Sequence, residues 1–200
     1  MLGIMGGTFN PIHYGHLLMC EGIREEFCLE KIIFIPAKIP PHKDNGKIIE
    51  AHDRFRMVEL AITNNPFFIA SDIEMKREGS SYTVDTLKIL KEQTDNKQLM
   101  LIVGADSLVQ FETWRNYREI FELAVIIVAS RPDTKEDNLN SYINRFKTQF
   151  GANIRKYSGK AMDYSSTEIR RRVEKGLSIK YQVPPEVESY IYKNGLYSMV

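Results

Sequence analysis

The stretch Leu2-Gly3-Ile4-Met5-Gly6-Gly7-Thr8-Phe9-Asn10-Pro11-Ile12-His13-Tyr14-Gly15-His16 joins a short apolar run to a helical pattern through a glycine-containing loop. Leu2 to Met5 reads as a buried strand, and the apolar spacing from His16 to Phe27 reads as a helix. Such a loop lies at the carboxyl edge of a parallel strand, where open α/β sheets bind ligands. Gly6 and Gly7 let backbone come close to a ligand, and the helix start behind them offers free N–H groups and a positive dipole end to an anion. No Gly-Lys-Ser/Thr continuation and no GxGxxG spacing is present, so neither common nucleotide fingerprint applies.

Outward from this loop the same alternation continues. Ile32 to Ile35, Phe67 to Ala70, Leu99 to Val103 and Val125 to Val128 read as further buried strands. Asp53 to Asn64, Val84 to Gln93 and Tyr117 to Leu123 have helical periodicity between them. Strands alternating with helices predict a doubly wound α/β fold, a parallel sheet covered on both faces. The C-terminal part is mainly helical: Leu139 to Phe150, a strand near Ile154 to Tyr157, Thr167 to Lys175, and Pro185 to Asn194 closed by Gly195. We expect one catalytic domain over residues 1–200, with a small helical extension over roughly residues 160–200. The proline-rich stretch Pro36 to Gly46 excludes a helix and predicts a mobile flap.

Composition limits the partners. With 27 Lys+Arg against 26 Asp+Glu the formal net charge is +1, so no global positive field favours nucleic acid or an anionic membrane. Any anion site must be local. The N terminus has no basic leader and no apolar run approaches the roughly 18 residues of a membrane span, which together predict a cytoplasmic chain. Cys20 and Cys28, read as lying on one helix, would stand about 12 Å apart, too far for a disulfide.

His13 and His16 add what glycines cannot, because an imidazole donates to phosphate oxygens and, when protonated, offsets charge that builds during transfer. Two histidines three residues apart also suit a metal pair, although no third ligand lies at metal spacing. Far downstream, Ser165-Ser166-Thr167-Glu168-Ile169-Arg170 reads as a helix start. Ser165 and Glu168 fit a capping box, which would satisfy the first N–H groups without a ligand. The alternative is a second anion site, built from hydroxyls, helix N–H groups and one of Arg170, Arg171 and Arg172.

Taken together, these two segments resemble the paired signature of the HxGH nucleotidyltransferases. Pro40-Pro41-His42-Lys43, Ser81 to Leu87, Gly104-Ala105-Asp106-Ser107 and Thr113-Trp114 are similar, in the same order, to the internal motifs of the nicotinate-nucleotide adenylyltransferase family. The resemblance implies transfer of the adenylyl group of ATP to nicotinate mononucleotide, with pyrophosphate leaving and nicotinate adenine dinucleotide formed for NAD biosynthesis. It implies an ATP site at Gly6, Gly7, Thr8, Phe9 and His16, with Gly104 and Asp106 on the ribose. Ser165, Ser166, Thr167 and Arg170 would hold the departing pyrophosphate, with His13, His16 and Arg170 as the catalytic set. Lys43, Thr83 and Trp114 would bind the mononucleotide, Trp114 stacking on the pyridine and Thr83 holding its carboxylate through backbone N–H. Mg2+ would ride mainly on ATP phosphates, with no dedicated protein ligands. Nicotinamide mononucleotide or phosphopantetheine as acceptor, a non-enzymatic nucleotide-binding module, and self-association all stay open. Arg115, directly after the tryptophan, departs from the aromatic that some members carry there.

Overall fold

The computed structural model of the protein describes residues 1–40, 48–95, 97–129, 136–157, 159 and 164–198. Six strands, β1 (Leu2–Gly7), β2 (Lys31–Pro36), β3 (Phe68–Ala70), β4 (Leu99–Gly104), β5 (Ala124–Ala129) and β6 (Ile154–Tyr157), form one sheet in the order β3-β2-β1-β4-β5-β6. Every neighbouring pair is parallel. The helices are α1 (Tyr14–Glu26), α2 (Ala51–Ile62), α3 (Thr83–Gln93), α4 (Ala105–Val109), α5 (Tyr117–Leu123), α6 (Glu136–Phe150), α7 (Ser166–Glu174) and α8 (Pro185–Lys193).

Because strand side chains alternate between faces, the near-continuous apolar runs split into two cores. Leu2, Ile4, Ile33, Ile35, Leu99, Leu101, Ile126 and Val128 face the layer built by α3, α4, α5 and α6. Met5, Ile32, Phe34, Met100, Ile102, Val125 and Ile127 face α1, α2, α7 and α8. The sheet is therefore covered on both sides, as the alternation of strands and helices requires. The two C-terminal helices join the same apolar layer as α1 and α2, through Ile169, Val173, Val187 and Ile191.

Two details differ from the sequence reading. Helix α1 starts at Tyr14, so His13 becomes its N-cap residue and His16 lies in its first turn. Cys28 lies beyond the end of α1 with φ 50°, so the two cysteines do not share a helix; Cys20 is buried and Cys28 exposed. A short helix, α4, follows β4 directly. Most of the expected flap, residues 41–46 of 36–46, lies outside the described residues.

Candidate active site

Strand order reverses between β1 and β4, and there the two strands part. They pair only from Leu2–Leu99 to Ile4–Leu101, whereas β1 continues beside β2 to Gly7–Pro36 and β4 beside β5 to Gly104–Ala129. A cleft of about 920 Å³ opens at this point, where doubly wound sheets bind ligands. Gly6 and Gly104, at the two strand ends, line it. A Cβ built at either would meet nothing within 4 Å, so protein packing does not demand glycine at these positions. The open space is what a ligand would occupy.

The first segment is shaped by close packing. Phe9 takes φ 47°, a left-handed conformation unusual for a side chain of its size. Its ring lies over Gly7, where a Cβ would come within 3.0 Å of Cζ, and edge-on to His16 with centroids 5.2 Å apart. Phe9 is thus a buried support for the loop that also lines the cleft. His13 and His16 stack with centroids 3.7 Å apart. Gly15 between them allows this, because a Cβ there would stand 2.9 Å from Tyr164 Cβ and 3.1 Å from His13 Nδ1. His16 Nδ1 accepts the backbone N–H of His13 at 3.3 Å. In the neutral ring the proton then sits on Nε2, which becomes the donor. Among the described residues no group of three or more His, Cys, Asp or Glu is arranged to hold a metal.

The second segment meets the first directly, across more than 150 residues of chain. Ser166 Oγ donates to Pro11 O at 2.8 Å, and Arg170 Nη1 donates to Asn10 O at 2.8 Å. Arg170 Nη2 also reaches Thr167 Oγ1 at 3.3 Å. The capping-box reading is corrected here. Ser165 occupies the N-cap position of α7 but makes no side-chain cap, and Glu168 forms a two-pronged pair with Arg171 at 2.7 Å. The arginine holds this carboxylate below the usual carboxylate range. Arg172 is turned away to Ser178 O, so of the three arginines it is Arg170 that faces the cleft with Ser165, Ser166 and Thr167.

The other end of the cleft is aromatic. Trp114 is half-buried, stacked on the fully buried Phe111 with centroids 4.7 Å apart, and lines the cleft. Thr83 opens α3, whose N terminus has no side-chain cap. Arg115 lies over the Tyr82 ring at 4.7 Å and pairs with Asp85 at 3.8 Å, and it lines the same cleft as Thr83. Asp106 is exposed in the first turn of α4, at the cleft. Lys43 falls in the segment outside the described residues.

Three residues that line the cleft or hold its glycine-histidine loop carry no motif in the sequence. Arg54 is 1% exposed, and its guanidinium donates to Thr8 O, Lys38 O and Ile49 O. Its one sequence signal is phase, since Arg54 occupies the buried stripe of α2 with Met57, Val58 and Ile62. Tyr197 donates to Asn10 Oδ1 at 2.9 Å, and burial pushes its phenol well above the ordinary value. The Tyr164 ring lies nearly parallel to the His13 ring, with centroids 6.1 Å apart. No sequence signal separates either tyrosine from the other eight.

Known proteins share this architecture and sequence. Residues 4–172 match the cytidylyltransferase-like family. A probable nicotinate-nucleotide adenylyltransferase of Thermoanaerobacter sp. (strain X514) is 44% identical over 197 residues, covering 98% of this chain and 93% of that protein. Another, from Desulfitobacterium hafniense (strain Y51), is 44% identical over 196 residues, covering 98% and 95%. Among solved structures, the Plasmodium falciparum nicotinic acid mononucleotide adenylyltransferase complexed with NaAD superposes with a TM-score of 0.78 at 22% identity, over 98% of this chain and 96% of that one. With full-length identity of this order added to the parted strands and the paired glycine-histidine and serine-arginine segments, the chain belongs to the nicotinate-nucleotide adenylyltransferase family.

Proposed function

We infer that the protein transfers the adenylyl group of ATP to nicotinate mononucleotide, forming nicotinate adenine dinucleotide and pyrophosphate in NAD biosynthesis. The observation that carries this reading is the direct bonding of Ser166 and Arg170 to the Asn10-Pro11 backbone, which makes two distant segments into one polar wall. The aromatic end of the same cleft lies across the parted strands.

In this reading a phosphate oxygen of the mononucleotide attacks the α-phosphorus, and the bond from that phosphorus to the bridging oxygen breaks. The nucleophile is already ionised at neutral pH, so the protein needs no base. Its work is in-line placement and stabilisation of charge on the phosphate oxygens. His16 would donate from Nε2, and His13 would act beside it. Gly6, Gly7 and Thr8 would let backbone meet the triphosphate, Gly104 and Asp106 would hold the ribose, and Ser165, Ser166, Thr167 and Arg170 would hold pyrophosphate as it leaves. Trp114 would stack on the pyridine while the first N–H groups of α3 at Thr83 bind its carboxylate; Lys43 would reach phosphate. Mg2+ carried on the ATP phosphates would neutralise charge there, a role that asks the protein for no carboxylate cage. A near-neutral chain with a local anion site suits nucleotides better than nucleic acid or membrane, and among the described residues no helix is long and apolar enough to cross a membrane. The substrates would be met in the cytoplasm, where the free thiols Cys20 and Cys28 would stay reduced.

The test is pyrophosphate release with MgATP and, separately, nicotinate mononucleotide, nicotinamide mononucleotide and phosphopantetheine. Turnover is expected to be fastest with nicotinate mononucleotide. Turnover with phosphopantetheine alone would overturn the acceptor, and ATP binding with no pyrophosphate from any acceptor would mark a non-enzymatic module.

A further inference from the structure

We propose that Arg54 is a positioning residue that fixes the spacing between the phosphate loop and the mononucleotide side of the cleft. The proposal rests on the adenylyl-transfer reading, because only a reaction joining two bound substrates needs that spacing held.

Arg54 projects from α2 and spends its whole fork on backbone carbonyls. Nη1 donates to Thr8 O at 2.9 Å, Nη2 to Lys38 O at 3.1 Å and Nε to Ile49 O at 3.0 Å. Thr8 belongs to the phosphate loop. Lys38 belongs to the chain leaving β2, and from it bonds run on toward the other substrate. The Lys38 N–H donates to Ser81 Oγ at 2.9 Å, and the Ser81 N–H returns to Ile39 O at 3.1 Å. Lys38 Nζ donates to Arg77 O at 2.7 Å, and Arg77 in turn reaches Thr86 Oγ1 at 3.0 Å. Ser81 is followed directly by Tyr82 and Thr83, where α3 begins. A continuous line of hydrogen bonds therefore runs from Thr8 through Arg54, Lys38 and Ser81 to the helix start that faces the pyridine end.

Packing alone does not account for an arginine here. Among the described residues no carboxylate forms an ion pair with Arg54, although its side chain is fully enclosed. Burial pushes its guanidinium below the ordinary value, with Tyr197 and Glu50 acting weakly the other way. A buried charge is costly, and an apolar side chain of similar length would fill α2's stripe more cheaply. What the guanidinium supplies and methionine cannot is a planar fork that sets three backbone segments, at Thr8, Lys38 and Ile49, at fixed distances.

This role predicts a split between binding and turnover. Each substrate contacts one side of the link, so each alone should bind almost as well when the link is cut. Alignment of the two together should suffer, and small misplacement of reacting groups costs rate steeply. The experiment compares the full-length parent with Arg54→Lys, Arg54→Met and Ser81→Ala, after thermal melts establish which variants are folded at the assay temperature. It measures kcat for pyrophosphate release, and calorimetric Kd for nicotinate mononucleotide alone and for a non-hydrolysable MgATP analogue alone. Expected are kcat losses of about 30-fold for both Arg54 variants and about fivefold for Ser81→Ala, with each single-substrate Kd within about threefold of the parent. Parent-like kcat in folded Arg54→Lys and Ser81→Ala overturns the proposal, as does a Kd change large enough to account for the loss. If neither Arg54 variant folds, Ser81→Ala decides on the same criteria. An inactive parent instead counts against the adenylyl-transfer reading itself.

Discussion

The two ends of the cleft are built differently. At the glycine-histidine end, side chains donate to segments far away in sequence: Ser166 to Pro11 O, Arg170 to Asn10 O and Tyr197 to the Asn10 side chain at Oδ1. The loop, α7 and the C-terminal residues thereby hold one another. At the aromatic end, contacts are ring on ring and cation on ring: Trp114 on Phe111, Arg115 over Tyr82. A hydrogen-bonded end can place donors on a charge that develops during reaction, whereas a stacked end grips its ligand about equally before and during it. Under the proposed function, the difference predicts that one end governs rate and the other affinity.

The strongest attempt to break that division is His16→Ala. Its Nδ1 accepts the His13 N–H at 3.3 Å, which leaves Nε2 as the donor, and the ring stacks on His13 and meets Phe9 edge-on. We expect kcat to fall about 100-fold or more, with melting temperature little changed. Turnover near the parent's would remove His16 from the chemistry. A smaller test adds an atom instead of removing one. Gly15→Ala puts a methyl 2.9 Å from Tyr164 Cβ and 3.1 Å from His13 Nδ1, so the His13 ring or the Tyr164 backbone must shift. Because the shift displaces donors without deleting them, kcat should drop by about 30-fold. If it drops while the Michaelis constants stay put, the glycine-histidine end acts on the transition state; if both constants rise tenfold with kcat intact, the end merely binds.

How legible these ends are in the sequence follows the same division. The strands and helices announce themselves through apolar runs and periodicity, and the two phosphate segments through residue types suited to anions. Ser165 and Glu168 show where local reading fails. The spacing of a capping box is present, yet Glu168 is claimed by Arg171 one turn on, and the start of α7 is left open toward the cleft. Competition between an N-cap and an i,i+3 ion pair is not written in spacing. Arg54 and Tyr197 fail differently, because their acceptors, the Thr8 carbonyl and the Asn10 side chain, lie 46 and 187 residues away and become neighbours only when α2 and the chain end join the α1 layer. A charged residue in the buried phase of a helix is the one clue either leaves.

The smallest expected effect concerns Trp114. Stacking of an aromatic base or pyridine on an aromatic side chain is worth about 1–3 kcal/mol, which sets the scale for its loss. Trp114→Ala should raise the Michaelis constant for nicotinate mononucleotide about tenfold, leave that for ATP alone and change kcat less than threefold. The substitution also removes the ring stacked on Phe111 at 4.7 Å, so part of any change could come from a disturbed core. Trp114→Phe separates the two causes, since a phenyl ring restores a stacking face while packing on Phe111 less fully. Recovery of most of the mononucleotide affinity in Trp114→Phe would place the stacking on the ligand. A loss in kcat equal to that of Gly15→Ala would erase the distinction between the two ends, because both would then act on alignment.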